Sequence, residues 1–194
     1  MSAIYGLVLA GGQSKRMKTD KAQLAFHGVS QVEYCARLLK PFCQDVFLSA
    51  RAGQDSNNVQ PIFDREPFTN AGPLGGILSA FTEYPQRSWL VLACDLPYVS
   101  APVIEYLIHQ RDPQKLATAY TSARDGLPEP LCAIYESRGH KALTDYFNSG
   151  KQCPRKFLII NADNVRQLSL QNKQALDNIN TPDEYKQAMT DLSQ

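Results

Sequence analysis

The chain has 194 residues, 43% of them hydrophobic and 20% charged, and its 20 basic and 19 acidic residues leave a net charge of +1. This is the composition of a globular chain long enough to bury a substantial core, and residues 1–194 read as one domain. Near-neutral charge excludes a strongly basic nucleic-acid binder, and no apolar run approaches the roughly 18 residues that a membrane span needs.

Ile4-Tyr5-Gly6-Leu7-Val8-Leu9 is apolar without alternation, the pattern of a parallel strand buried on both faces. It is too short for most secretory leaders, and no basic residue precedes it. Apolar residues at 32, 35, 36, 38 and 39 predict a helix over 32–39, stopped by Pro41. Strands follow at Val46–Leu48 and at Pro61–Phe63, the latter ending at Asp64. A helix is expected from Gly75 to Tyr84, ended by Pro85. Trp89 to Ala93 is the clearest central strand and runs straight into Cys94-Asp95. Pro102 to His109 suits a helix with proline in its first turn. Leu116–Tyr120 and Leu131–Tyr135 suit two strands, Lys141–Phe147 a helix and Val165–Leu170 a late strand. Pro182–Leu192 suits a terminal helix, capped by Thr181 with Glu184 three residues on.

Strands alternating with helices predict an α/β fold with a mostly parallel central sheet flanked by helices. Ligands of such sheets bind beyond the carboxyl ends of the strands. Gly11, Asp64 and Asp95 each follow a predicted strand, so they should converge on one edge.

The loop after the first strand carries Gly11 and Gly12, then Lys15, Arg16, Lys18 and Lys21, opposed only by Asp20. Glycines allow close backbone approach, and exposed N–H groups with mobile cations suit polyphosphate. The plainer reading is a tight turn followed by a solvated basic surface. The loop is neither GxxxxGK[ST] nor GxGxxG. Asp95, at the end of an apolar strand, is a candidate Mg²⁺ ligand, because a carboxylate there needs a partner or a metal. Taken alone it is equally a turn aspartate before Pro97. Asp64 would orient a ribose hydroxyl or form a second face of the metal site, and the glycines of Gly72-Pro73-Leu74-Gly75-Gly76-Ile77 would let a helix start close to a ligand; taken alone, they are loop and cap residues. His27, His109 and His140 show no metal-ligand spacing and read as surface or packing residues. Ser14 lacks a nucleophile elbow. Cys35, Cys43, Cys94, Cys132 and Cys153 are scattered and lack a CxxC pair, which predicts reduced thiols in the cytoplasm.

Taken together, these segments resemble the MobA-like nucleotidyltransferases. The resemblance rests on Leu9-Ala10-Gly11-Gly12 with Ser14, Arg16-Met17 and Asp20-Lys21, and on Gly72 to Ile77. It continues through Cys94-Asp95-Leu96-Pro97, through Pro130-Leu131 with Ala133 and Tyr135, and through Asn178-Ile179-Asn180-Thr181-Pro182. It covers nearly the whole chain in the family's order. It implies a Rossmann-like nucleotidyltransferase fold that transfers GMP from GTP to molybdopterin bearing molybdenum, with Mg²⁺ as cofactor. By motif position, Leu9, Ala10, Gly11 and Gly12 would contact the nucleotide, chiefly through backbone. Lys21 and Arg16 would sit on phosphates, Asp64 would contact the nucleotide and Asp95 would hold Mg²⁺, so that Arg16, Lys21 and Asp95 carry catalysis. Asn178 and Asn180 would lie on the pterin side. The expected partners beyond GTP and Mo-molybdopterin are molybdenum-insertion or molybdoenzyme-chaperone proteins; neither nucleic acid nor a membrane is expected. Two positions depart from the family pattern: Lys18 stands where glycine is usual, and Ser49 where some relatives carry asparagine. The rival readings are a CTP-dependent cytidylyltransferase and a non-catalytic nucleotide-binding accessory protein.

Overall fold

Every residue of β1 (Ile4–Leu9) and of β4 (Ser88–Ala93) is buried, as their unbroken apolar sequences require. The computed structural model describes residues 4–10, 26–51, 56, 58–179 and 181–192. Its seven strands form one sheet in the order β3-β2-β1-β4-β6-β5-β7. Here β2 is Val46–Ala50, β3 Gln60–Phe63, β5 Ala117–Thr121, β6 Pro128–Tyr135 and β7 Val165–Ser169. All neighbours are parallel except β6, which runs antiparallel to both β4 and β5. Leu9 is level with both Ser49 and Ala93, so the carboxyl ends of β1, β2 and β4 form one rim.

Among the described residues six α-helices cover the sheet: α1 (Gln31–Leu39), α2 (Pro73–Glu83), α3 (Ala101–His109), α4 (His140–Asn148), α5 (Pro154–Ile160) and α6 (Pro182–Asp191). The step from β1 through α1 to β2 moves one way along the sheet, and that from β3 through α2 to β4 moves back across β1. Right-handed crossovers then place α1 and α2 on opposite faces. Ser30 caps α1 by accepting the Glu33 N–H at 3.3 Å. The capping box expected for α6 is present: Thr181 Oγ1 accepts the Glu184 N–H at 3.2 Å, and the Thr181 N–H donates to Glu184 Oε2 at 3.0 Å.

Several elements differ from the sequence expectation, among them β6, which begins at Pro128 rather than at Leu131. Helix α5 was not anticipated, since Phe157-Leu158-Ile159-Ile160 reads as a continuous apolar run without helical spacing. Helix α2 starts at Pro73, two residues early, so Gly75 and Gly76 lie inside its first turn. A Cβ on Gly76 would stand 2.2 Å from Ser49 Oγ, and one on Gly75 would stand 2.4 Å from the Phe68 carbonyl. Gly76 thus lets α2 approach the end of β2, and Gly75 lets it approach the chain at Phe68. Gly72, before the helix, has a φ of 59° that other residues rarely adopt.

At the opposite, amino-end edge, Glu136 is buried with Arg111 in a two-pronged pair, Nε to Oε1 and Nη2 to Oε2, both 2.7 Å. Ser88 Oγ donates a further bond of 2.7 Å to Oε2. The side chains of Arg111 and Glu136 are only 8% and 3% exposed, so removing one partner strands a buried charge. Arg111→Ala should cost about 3–5 kcal/mol, and Arg111→Met with Glu136→Leu should recover most of it. Urea unfolding checks this; a loss below about 1 kcal/mol for Arg111→Ala would mean that the pair is solvated.

Candidate active site

The strand ends build two cavities along the carboxyl rim. The first, of about 520 Å³, lies over β1, β2 and β3 and is lined by Leu9, Ser49, Arg51, Phe63, Asp64 and Thr69, among others. Asp64 follows β3 and is half-buried. Burial raises its carboxyl above the usual carboxylate range, while the nearby Arg51 charge pulls the other way. The Leu9 carbonyl is already occupied, accepting the Cys94 N–H at 3.1 Å. That bond uses one of the two lone pairs of the carbonyl oxygen and leaves the other for a ligand.

The second cavity, of about 310 Å³, lies on the other side of β4 and is lined by Leu96, Glu129, Leu131, Arg155, Leu176 and Asn178, among others. Arg155 pairs with Asp125 at 2.8 Å and with Glu129 at 2.7 Å. Sequence reasoning missed this arginine along with its helix. The Pro154-Arg155 start, with proline at the first helical position, was the available signal.

Asp95 stands at the end of β4, between the two cavities. Its backbone carbonyl accepts the Ile179 N–H at 3.0 Å, which ties Asn178 and Ile179 to the strand end. The turn after it is held from two further elements. Tyr34 on α1 donates its hydroxyl to the Val99 carbonyl at 3.0 Å, and His27 Nε2 meets the Pro97 carbonyl at the same distance. A carbonyl only accepts, so that nitrogen carries the proton. The His27 and Tyr34 rings stack with centroids 3.6 Å apart and 13° between planes. Tyr98 donates its hydroxyl to Asp191 of α6 at 2.8 Å. His27 is thus a bonded support of the Asp95 turn, more than a surface or packing residue.

Among the described residues, no three His, Cys, Asp or Glu side chains cluster as an all-protein metal cage requires. Asp95 offers one carboxylate, with Oδ1 buried. That suits Mg²⁺, which commonly takes one or two carboxylates and completes its sphere with water and substrate phosphates. Of the residues singled out from sequence, Leu9, Ala10, Asp64, Asp95 and Asn178 lie on this rim. Gly11, Gly12, Arg16, Lys21 and Asn180 lie outside the described residues.

Residues 6–166 match the MobA-like NTP transferase domain. A Bacillus cereus protein described as "Probable molybdenum cofactor guanylyltransferase" is 30% identical, over 100% of this chain and 99% of its own length. The "Molybdenum cofactor biosynthesis bifunctional protein" of Synechocystis sp. is 38% identical over 95% of this chain, and the chain spans about half (53%) of its length. The crystal structure of molybdopterin-guanine dinucleotide biosynthesis protein A from Archaeoglobus fulgidus superposes with a TM-score of 0.77 at 23% identity, covering 98% of this chain and 99% of that one. At that identity the likeness speaks for the fold. The domain match takes in five of the seven strands whole, part of the other two and the walls of the first cavity, and a relative follows the chain from end to end; the chain therefore belongs to the MobA-like NTP transferase family.

Proposed function

We propose that this protein is a molybdenum cofactor guanylyltransferase, which transfers GMP from GTP to molybdopterin bearing molybdenum. The observation that carries this reading is the pair of cavities on one rim with Asp95 between them. A nucleotidyl transfer needs two anionic substrates side by side, with a charge-compensating group where they meet. GTP would occupy the cavity over β1–β3 and the pterin the cavity beside Asn178 and Arg155. The descriptions of the Bacillus and Synechocystis relatives support the choice of substrates.

In the reaction, a terminal phosphate oxygen of the pterin attacks the α-phosphorus of GTP. The new P–O bond forms as the bond to the bridging α,β oxygen breaks, and pyrophosphate leaves with that electron pair. The acceptor phosphate is already ionised, so no serine, cysteine or histidine machinery is needed. Asp95 would hold Mg²⁺, whose charge when bound offsets that of the phosphates. Arg16 and Lys21 would neutralise the triphosphate, and Gly11 and Gly12 would let the backbone approach it. Asp64 would hold the nucleoside, and Asn178 and Asn180 would orient the pterin. Tyr34 and His27 keep the Asp95 turn in place without touching substrate.

On this reading the product passes to a molybdoenzyme chaperone or insertion protein in the cytoplasm. The five cysteines are all free thiols, which a reducing compartment suits. Among the described residues no helix is long and apolar enough to cross a membrane.

The decisive assay offers equal GTP and CTP with Mg²⁺ and the molybdenum-loaded pterin, scored by dinucleotide product. The guanine dinucleotide should predominate; a predominance of the cytosine product would overturn the assignment of GTP. Asp95→Asn should lower turnover by on the order of 10²-fold or more with the circular dichroism unchanged, and near-wild-type activity across Mg²⁺ concentrations would remove Asp95 from the mechanism. Tyr34→Phe deletes one hydrogen bond on the Asp95 turn, worth about 1 kcal/mol, and should lower kcat roughly fivefold with KM for GTP little changed. An unchanged kcat would make Tyr34 a packing residue only.

A further inference from the structure

The second cavity joins apolar walls to an ion pair. Leu96, Leu131 and Leu176 line it, together with Glu129, Arg155 and Asn178. Its volume, about 310 Å³, falls at the lower end of the roughly 300–1,000 Å³ range of small-molecule clefts. Glu129 and Leu131 are alternate residues of β6, so both side chains start on the same face of the strand. Arg155 comes from α5 and holds Glu129 Oε2 at 2.7 Å. The Glu129 side chain is only 17% exposed, so its carboxylate is largely withdrawn from water at the cavity wall.

A carboxylate is the wrong group to meet a phosphate ester, because the like charges repel. It fits such a cavity where it faces hydrogen-bond donors. The pterin ring supplies them: its aminopyrimidinone edge carries the N3–H and the 2-amino group side by side. A carboxylate accepts two parallel N–H bonds in the same two-pronged geometry that it uses with a guanidinium. An ionised carboxylate has about four acceptor positions. Arg155 takes one of them on Oε2, which leaves room for two further donors. The guanidinium offsets the charge of Glu129 and fixes its direction, and the three leucines offer apolar surface to the faces of a flat ring. With the donor edge against Glu129, the phosphate end of the substrate is turned away from it, toward Asp95.

We propose that Glu129, oriented by Arg155, reads the donor edge of the pterin and so sets which heterocycle this chain accepts and which end of it faces Asp95. This rests on the molybdopterin reading above and adds to it the side chain that recognises the ring. A pteridine with oxygen in place of the 2-amino group brings an acceptor against the carboxylate and is rejected. Guanine carries the same pair of donors, at N1 and N2, so the effects on the two substrates have to be measured separately.

The test is steady-state kinetics with GTP, Mg²⁺ and the molybdenum-loaded pterin for the full chain, Glu129→Gln and Glu129→Asp, with thermal melting as the check of folding. The amide of Glu129→Gln has the same size but turns one acceptor into a donor. It should raise KM for the pterin about ten- to a hundred-fold, with kcat at saturating pterin and KM for GTP little changed. Glu129→Asp keeps the carboxylate and should recover part of the loss. On the wild-type chain, 6-hydroxymethylpterin should inhibit competitively against the molybdenum-loaded pterin, and 6-hydroxymethyllumazine, its 2,4-dioxo counterpart, should be weaker by about tenfold or more. That arm requires no variant to fold. An unchanged KM for the pterin in Glu129→Gln, or equal inhibition by the two pteridines, would overturn this inference while the guanylyltransferase reading stands. A rise confined to KM for GTP would put Glu129 at the guanine and overturn it as well. If the wild-type chain does not turn over the molybdenum-loaded pterin, the substrate assignment itself fails, and this inference with it.

Discussion

The whole arrangement depends on the burial of β1 and β4 side by side. Their twelve residues are enclosed on both faces, and their parallel pairing runs from Ile4 with Ser88 to Leu9 with Ala93 without a slip. A one-residue shift would turn every side chain of a strand to the other face of the sheet. The register therefore places Ala10 and Cys94-Asp95 at the same height on the rim. The chain leaves β1 toward β2 and returns from β3 to β4, so the strand order reverses at this pair and leaves an opening above it, where ligands of open α/β sheets bind.

Several polar contacts convert that rim into a rigid site. The Asp95 turn is tied to the segment before α6 through Ile179, to α1 through Tyr34, to the chain entering α1 through His27, and to α6 through Tyr98. None of these groups needs to touch a substrate to matter. Each fixes the turn from a different element, so the carboxylate is presented in one place. On the other side of the sheet, the enclosed Arg111–Glu136 pair joins the chain after α3 to the end of β6. This pair and the Asp95 turn thus occupy opposite edges of the sheet.

Small residues set the shape of the first cavity. Gly76 lets α2 approach until Ser49 Oγ fills the space a Cβ would need, and Gly72 turns the chain into the helix with a positive φ. A helix displaced outward by even a methyl group would shift Pro73 and Gly72, which line that cavity. The position of Ser49 where some relatives carry asparagine bears on the same contact: a larger side chain there would have to find room against Gly76 or extend into the cavity.

Sequence by itself determined the strands whose apolar runs are unbroken, the helix α1, the capped helix α6, the parallel character of most of the sheet and the placing of Asp64 and Asp95 on one edge. These follow from local pattern, because an unbroken apolar strand must be buried and a strand end must be where its chain leaves the sheet. Tertiary structure alone decided the antiparallel direction of β6, the helix at Pro154–Ile160, the partners of Arg155, and the contacts of His27 and Tyr34 with a turn some 65 to 70 residues away. It alone brought Arg51 and Phe63 to one cavity. The end of β6 is as apolar and as buried as the parallel strands of the sheet, so its pattern does not mark its reversed direction, and a seven-residue helix ending in four apolar residues has no period to read. A hydrogen bond between distant segments depends on how both pack against the sheet, which no local spacing encodes.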